Sequence, residues 1–125
     1  MSNIAIHTEN APAAIGPYSQ GIAAGSTVYV SGQLPIDPAT GAMPEGIQAQ
    51  TAQALKNITN ILAEQGMTLD NVVKTTVFLA DLADFVPMNE VYGQFFSQPY
   101  PARSAVQVAK LPKDAPIEIE CIAVK

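Results

Sequence analysis

The sequence predicts an α+β domain, a mixed β-sheet with two helices packed on one face. Three observations lead there. Alternating or β-branched stretches occur near both ends and in the middle of the chain; two stretches with apolar residues at three- and four-residue steps lie between them; and no third helical stretch is present to cover the sheet's other face. The outline reads β-β-α-β-α-β-β. The second face then needs a cover, and another copy of the same chain is the natural one. Composition points the same way: 48% hydrophobic and 14% charged residues is apolar for a 125-residue chain, and a chain of this size buries roughly two-thirds of its unfolded surface by itself. Residues 1–125 are read as one domain.

Each element has a local reason. The zone from Ile4 to Gln33 is strand-rich. In "STVYVSGQ", Val28 and Val30 alternate with Tyr29 and Ser31, the pattern of a half-buried strand. "YSQGIAAG" precedes it and pairs with it through the turn residues "AGS". "LPIDPATGAMPEG" holds three prolines and two glycines and reads as an ordered loop. "IQAQTAQALKNITNILAEQ" then reads as a helix, with Ala52, Leu55, Ile58, Ile61 and Leu62 on one face and Gln50, Lys56, Asn57, Asn60 and Glu64 on the polar face. Gly66 stands at the expected stop. "NVVKTTVFLADL" is β-branched and reads as a strand. In "DFVPMNEVYGQFF", Asp84 suits a helix N-cap and Pro87 fits a first turn. Phe85, Met88, Tyr92, Phe95 and Phe96 form its apolar stripe, read as core. Two strands close the chain, "SAVQVAK" and "IEIECIAV", joined by "LPKDAP".

Composition excludes several classes of function. The net charge is −5, from 6 basic and 11 acidic residues. The basic residues Lys56, Lys74, Arg103, Lys110, Lys113 and Lys125 are scattered, whereas a phosphate-binding surface needs them clustered. Nucleic acid is therefore disfavoured as a partner. Cys121 is the lone cysteine and His7 the lone histidine, so neither an intrachain disulfide nor a Cys/His metal cluster can form. Neither nucleotide fingerprint is matched by the glycine spacing. The N-terminus has no signal-peptide pattern, and the apolar runs are far short of a membrane span. The expected setting is cytoplasmic and reducing.

The polar residues left for chemistry are few. Arg103 opens a strand, and Glu118 and Glu120 share the polar face of the last strand. As a surface ion pair, Arg103 contributes at most about 1 kcal/mol. As a carboxylate clamp, its planar fork offers two parallel N–H donors to two oxygens. Whether the last two strands pair as a hairpin, and in which register, is not set by the sequence, so an Arg103–Glu118 contact does not follow. Tyr18, Ser31 and Asn89 are further polar candidates, each weak alone. Cys121 lies on the apolar face of its strand and reads as inert packing. What remains is acid–base handling of water on an already reactive small molecule.

The motifs "GPYSQG", "VSGQLPID", "VVKTTVFLADL", "MNEVYGQFF" and "PARSAVQVAKLPKDAPIEIE" together resemble, in order and spacing, the Rid family of reactive intermediate deaminases, the RidA or YjgF type. The resemblance covers about Thr8 to Val124. It implies a chorismate-mutase-like fold assembled as a homotrimer with a barrel-like core and sites between neighbouring subunits. It implies hydrolysis of enamines and imines such as 2-iminopropanoate and 2-iminobutanoate, released by pyridoxal-phosphate-dependent dehydratases, to 2-keto acids and ammonia. It implies no cofactor and no metal.

By position, the resemblance assigns Arg103 of "PARS" to the substrate carboxylate and Glu118, the first glutamate of "IEIE", to the water. Tyr18, Ser31 and Asn89 match further pocket residues, with Gly32 beside the ligand through its backbone. Ala105 stands where many relatives have cysteine, so only backbone contacts are expected from it. Burial raises the pKa of Glu118 and a neighbouring Arg103 lowers it, which leaves the net direction open. Competing readings are a non-catalytic regulator binding a keto acid or similar metabolite, an RNA-cleaving protein and a holdase-like chaperone.

Overall fold

The computed structural model describes residues 3–125. A six-stranded mixed sheet has the order β1-β2-β3-β6-β4-β5. Its strands are β1 (Ile4–Ile6), β2 (Gly21–Ala24), β3 (Thr27–Gln33), β4 (Val72–Leu79), β5 (Ala102–Gln107) and β6 (Ile117–Val124). Two helices, α1 (Ile47–Ala63) and α2 (Phe85–Phe95), cover one face. The predicted class is therefore observed, with a short additional strand, β1, paired antiparallel to β2.

α1 packs because its apolar positions recur at helical spacing. Ala54, Leu55, Ile58, Ile61 and Leu62 are all buried, and they meet Val28 and Val30 of β3 and Ile117, Ile119, Cys121 and Ala123 of β6 in one core. Burial of each large aliphatic side chain contributes about 1.5–3 kcal/mol before entropy is counted. The helix stops at the glycine the sequence marks: Gly66 adopts φ 67, and the Met67 N–H reaches back to the Leu62 carbonyl at 3.1 Å, which closes the last turn.

Two local features differ from the expectation. Asn57 does not lie on a solvated face. It is fully buried, and its amide donates to the carbonyls of Leu34 and Ile36 at 3.2 and 2.9 Å. A buried amide that finds partners is stable, and these partners pin the proline-rich loop to α1. Asp84 precedes α2 but makes no side-chain cap. A 3-10 turn over Leu82–Asp84 comes first, and Asp81 caps that turn by accepting from the Ala83 N–H at 2.9 Å.

The last two strands, whose pairing the sequence leaves open, do not pair. β4 lies between them, antiparallel to β6 and parallel to β5. The reason is the α2 crossover: a strand, a helix and a returning strand make a parallel pair. The turn "LPKDAP" is thus a crossing over β4, anchored by the buried Leu111 and Ala115.

The face away from the helices carries Tyr29, Ile122, Lys74, Thr76, Glu120, Glu118, Phe78 and Val106, by the register of β3, β6, β4 and β5. Tyr29 and Val106 are 50% and 43% exposed, so the single chain leaves this face open. Among the described residues, no helix is long and apolar enough to cross a membrane.

Candidate active site

The predicted site residues fall into two groups, on opposite faces of the sheet. The first group is Tyr18, Ser31, Gly32 and Glu118, which line one groove of about 970 Å³. The second is Arg103, Asn89 and Ala105, between β5 and α2.

A local irregularity builds the first group. Along β3, Val30 pairs with Cys121 and Gln33 with Ile119, so three steps on β3 span two on β6. This bulge lifts Ser31 and Gly32 out of the ladder, and bulges of this kind re-aim backbone beside sites. Ser31 is tied on both sides: its N–H donates to the Gln20 carbonyl at 2.9 Å and its hydroxyl to the Ser19 carbonyl at 2.6 Å. Gly32 is glycine because Glu118 lies on it. A Cβ at residue 32 would stand 2.5 Å from Glu118 Oε2 and 2.8 Å from its Cδ.

Glu118 itself is partly buried on the polar face of β6. Burial pushes its carboxyl above the ordinary glutamate value, and the charge of Glu120 adds to the rise. Arg103 does not offset it, because the guanidinium lies across the sheet. The direction that the sequence left open is therefore upward within one chain. Tyr18 stands at the groove with half its surface exposed. Leu34, Ile36 and Pro38, from the loop that Asn57 pins, supply an apolar wall, and Pro112, Lys113 and Glu120 lie at the other side.

α2 builds the second group. The Arg103 guanidinium lies 4.7 Å from the Tyr92 ring centroid and 5.4 Å from that of Phe85, and it donates to Asn89 Oδ1 at 2.6 Å. Stacking on two rings contributes about 0.5–2 kcal/mol per contact and, above all, fixes the plane of the fork. Tyr92 is fixed in turn by a 2.7 Å hydrogen bond with the fully buried Thr75 hydroxyl. In the sequence, Phe85 and Tyr92 read as core alone. Their second role as a seat for Arg103 becomes visible only when β5 runs alongside β4, with Thr75 opposite Arg103.

Ala105 sits two residues on, opposite Val77. The Val108 N–H donates to Leu79 O at 2.9 Å. By strand alternation, the peptide groups of Arg103 and Ala105 point off the free edge of the sheet, where a ligand or another chain can use them.

The remaining polar groups are outside this chemistry. Burial pushes the Cys121 thiol up to about 12, which leaves it unreactive. Among the described residues, no three His, Cys, Asp or Glu side chains cluster as metal ligands. A smaller cleft of about 420 Å³ beneath the segment Phe96–Pro101 holds none of the predicted site residues.

Residues 8–125 match the family described as Endoribonuclease L-PSP. The 2-iminobutanoate/2-iminopropanoate deaminase of Salmonella typhimurium is 54% identical over 123 residues, which is 96% of each chain. The crystal structure of Escherichia coli TdcF with bound serine matches with a TM-score of 0.94 at 49% identity, over 98% of both chains. RidA from an Antarctic Psychrobacter species matches with a TM-score of 0.94 at 50% identity, over 98% of this chain and 99% of that one.

Proposed function

The chain belongs to the family described as Endoribonuclease L-PSP, the Rid family of RidA and YjgF proteins, and from that premise we propose that it is an imine and enamine deaminase. Its substrates are 2-iminobutanoate and 2-iminopropanoate, the compounds named for its Salmonella typhimurium relative, and its products are 2-keto acids and ammonia. The observation that carries the reading is the Glu118 carboxyl, partly buried over Gly32 in a groove, with its pKa raised. A protein that only binds a keto acid needs a cation. A carboxyl tuned toward neutral pH is what proton transfer needs.

The two halves of the site lie on opposite faces of one sheet, so one chain does not bring Arg103 to Glu118. A homotrimer in which the open face and the free β5 edge meet a neighbour resolves this, with Arg103, Asn89 and Ala105 from one protomer and Tyr18, Ser31, Gly32 and Glu118 from the next. The exposed Tyr29 and Val106 support such a cover. The serine bound to the E. coli relative supports a ligand of amino-acid size. The enzyme works in the cytoplasm, beside the dehydratases that release imines.

In the reaction, the Arg103 fork holds the substrate carboxylate, and the backbone at Ala105 and Gly32 lines the bound molecule. The iminium carbon C2 is already electrophilic, so positioning and proton transfer supply the catalysis. Glu118 takes a proton from water as its oxygen bonds to C2, and the C=N electron pair moves to nitrogen. The protonated Glu118 then gives that proton to the amino nitrogen. The C–N bond breaks, ammonia leaves, and the hydroxyl oxygen forms the keto group as it releases its proton. An enamine enters this course after protonation at C3. No redox partner is needed, since water and imine balance to keto acid and ammonia.

The test is keto-acid release from imines generated in situ by a pyridoxal-phosphate-dependent dehydratase. Wild-type protein should accelerate it, and Arg103→Ala should lose the acceleration. No acceleration by the assembled wild-type protein would overturn the proposal in favour of a ligand-binding regulator. The same preparation incubated with RNA should leave it intact, because Glu9, Glu118 and Glu120 line the groove and repel phosphate.

A further inference from the structure

Gln20, in the sequence motif "GPYSQG", takes no part in the proposed chemistry. Gln20 is 2% exposed, yet both ends of its carboxamide are hydrogen-bonded. Its Oε1 accepts from the Thr8 N–H at 2.8 Å. Its Nε2 donates to the carbonyls of Thr8, Pro12 and Ala11 at 3.0, 2.9 and 3.3 Å. The segment it grips, residues 8–12, contains neither helix nor strand, so its buried peptide groups have no ladder to satisfy them.

Both ends of Gln20 touch the groove. The gripped segment contributes Thr8, Glu9, Ala11 and Pro12 to the groove wall. The Gln20 backbone carbonyl accepts from the Ser31 N–H at 2.9 Å, in the bulge that carries Gly32 under Glu118. One residue therefore joins the wall of the groove to its floor. A further anchor of this segment lies on the outside, where Asn60 donates to the Asn10 carbonyl at 2.8 Å.

We propose that Gln20 is a positioning residue: its carboxamide latches the segment Thr8–Pro12 against the β3 bulge and so preforms the groove over Glu118. It acts on binding rather than on proton transfer, because its hydrogen bonds go to neither Glu118 nor Arg103. The inference rests on the deaminase reading for its kinetic test, and it also has a readout that does not.

The experiment measures amide exchange and kinetics together. In wild-type protein the Thr8 amide should exchange slowly although it lies outside any helix or strand. In Gln20→Leu, which keeps bulk and removes all four bonds, amide exchange over residues 8–11 should rise toward the unprotected rate while β3 and β6 stay protected. With imine substrates, KM should rise about tenfold, in line with the loss of a buried hydrogen-bond set, and kcat should change much less. An equal fall in kcat at unchanged KM would overturn the inference. So would a rapidly exchanging Thr8 amide in the wild type, and this outcome is readable even if Gln20→Leu fails to fold. Should wild-type protein turn over no imine, the deaminase reading fails, and the exchange arm alone decides the latch.

Discussion

Gly32 lies against Glu118 so closely that a Cβ on residue 32 would meet Glu118 Oε2 at 2.5 Å. The atom in the way is the end of a flexible side chain, so a bulkier residue 32 moves the carboxyl rather than the backbone. Gly32→Ala should therefore cost less than about 1 kcal/mol of stability, while catalysis falls about a hundredfold because the proton-transfer group is displaced. Denaturant midpoints and keto-acid release on the same preparation check both halves. Full activity in Gly32→Ala would show that the Glu118 position is not critical.

Glu118 also makes stability depend on pH. Within its own chain its folded pKa lies above the ordinary 4.5 because burial disfavours the charge, with Glu120 adding to it, whereas an Arg103 brought beside it by a neighbouring protomer works against the rise. A carboxyl that holds its proton more tightly when folded favours the folded state at low pH. Stability is therefore lost as pH rises from about 4.5 through the raised value, and it is level beyond. Glu118→Gln removes this dependence. In an Arg103→Ala background, where no neighbouring guanidinium offsets the rise, Glu118→Gln should gain in thermal midpoint at pH 7, compared with the difference that it makes at pH 4. With Arg103 in place, Glu118→Gln should keep keto-acid binding and lose about 10²–10⁴ in rate.

Arg103 depends on its seat. Arg103→Lys keeps the charge but loses the fork and the stacking on Tyr92 and Phe85, so KM should rise about tenfold to a hundredfold. Asn89→Ala removes the 2.6 Å partner and should raise KM by less, because the two rings still hold the plane. Steady-state kinetics of the two variants rank the contributions, and equal effects would mean that Asn89 holds the guanidinium as firmly as the fork and the rings together.

Tyr92→Phe isolates the buried end of the same chain of contacts. It strands the Thr75 hydroxyl, which is fully buried and has Tyr92 as its partner. The cost should be about 1–3 kcal/mol, read from chemical denaturation, with Thr75→Val and Tyr92→Phe combined costing less than the sum of the two. Additive costs would show that the two hydroxyls do not interact.

Local chemistry settled the elements. Alternation in "IEIECIAV" put Ile117, Ile119, Cys121 and Ala123 in the core and left Glu118 on the other face, because side chains on a strand alternate whatever lies beside it. Helical spacing in α1 and the stop at Gly66 were legible for the same reason. The five motifs marked the family and the residues worth testing. Tertiary structure decided what the strands are next to. β6 enters between β3 and β4 to bury its apolar face beneath α1, and α2 returns the chain as a parallel β5, so Arg103 gains an aromatic seat and ends on the face opposite Glu118. Asn57 reads as a polar-face residue and Gln20 carries no signal of its own within its motif, yet the fold buries both. A buried amide is stable only where carbonyls from distant segments converge on it, and that convergence is a property of the fold rather than of any window of sequence.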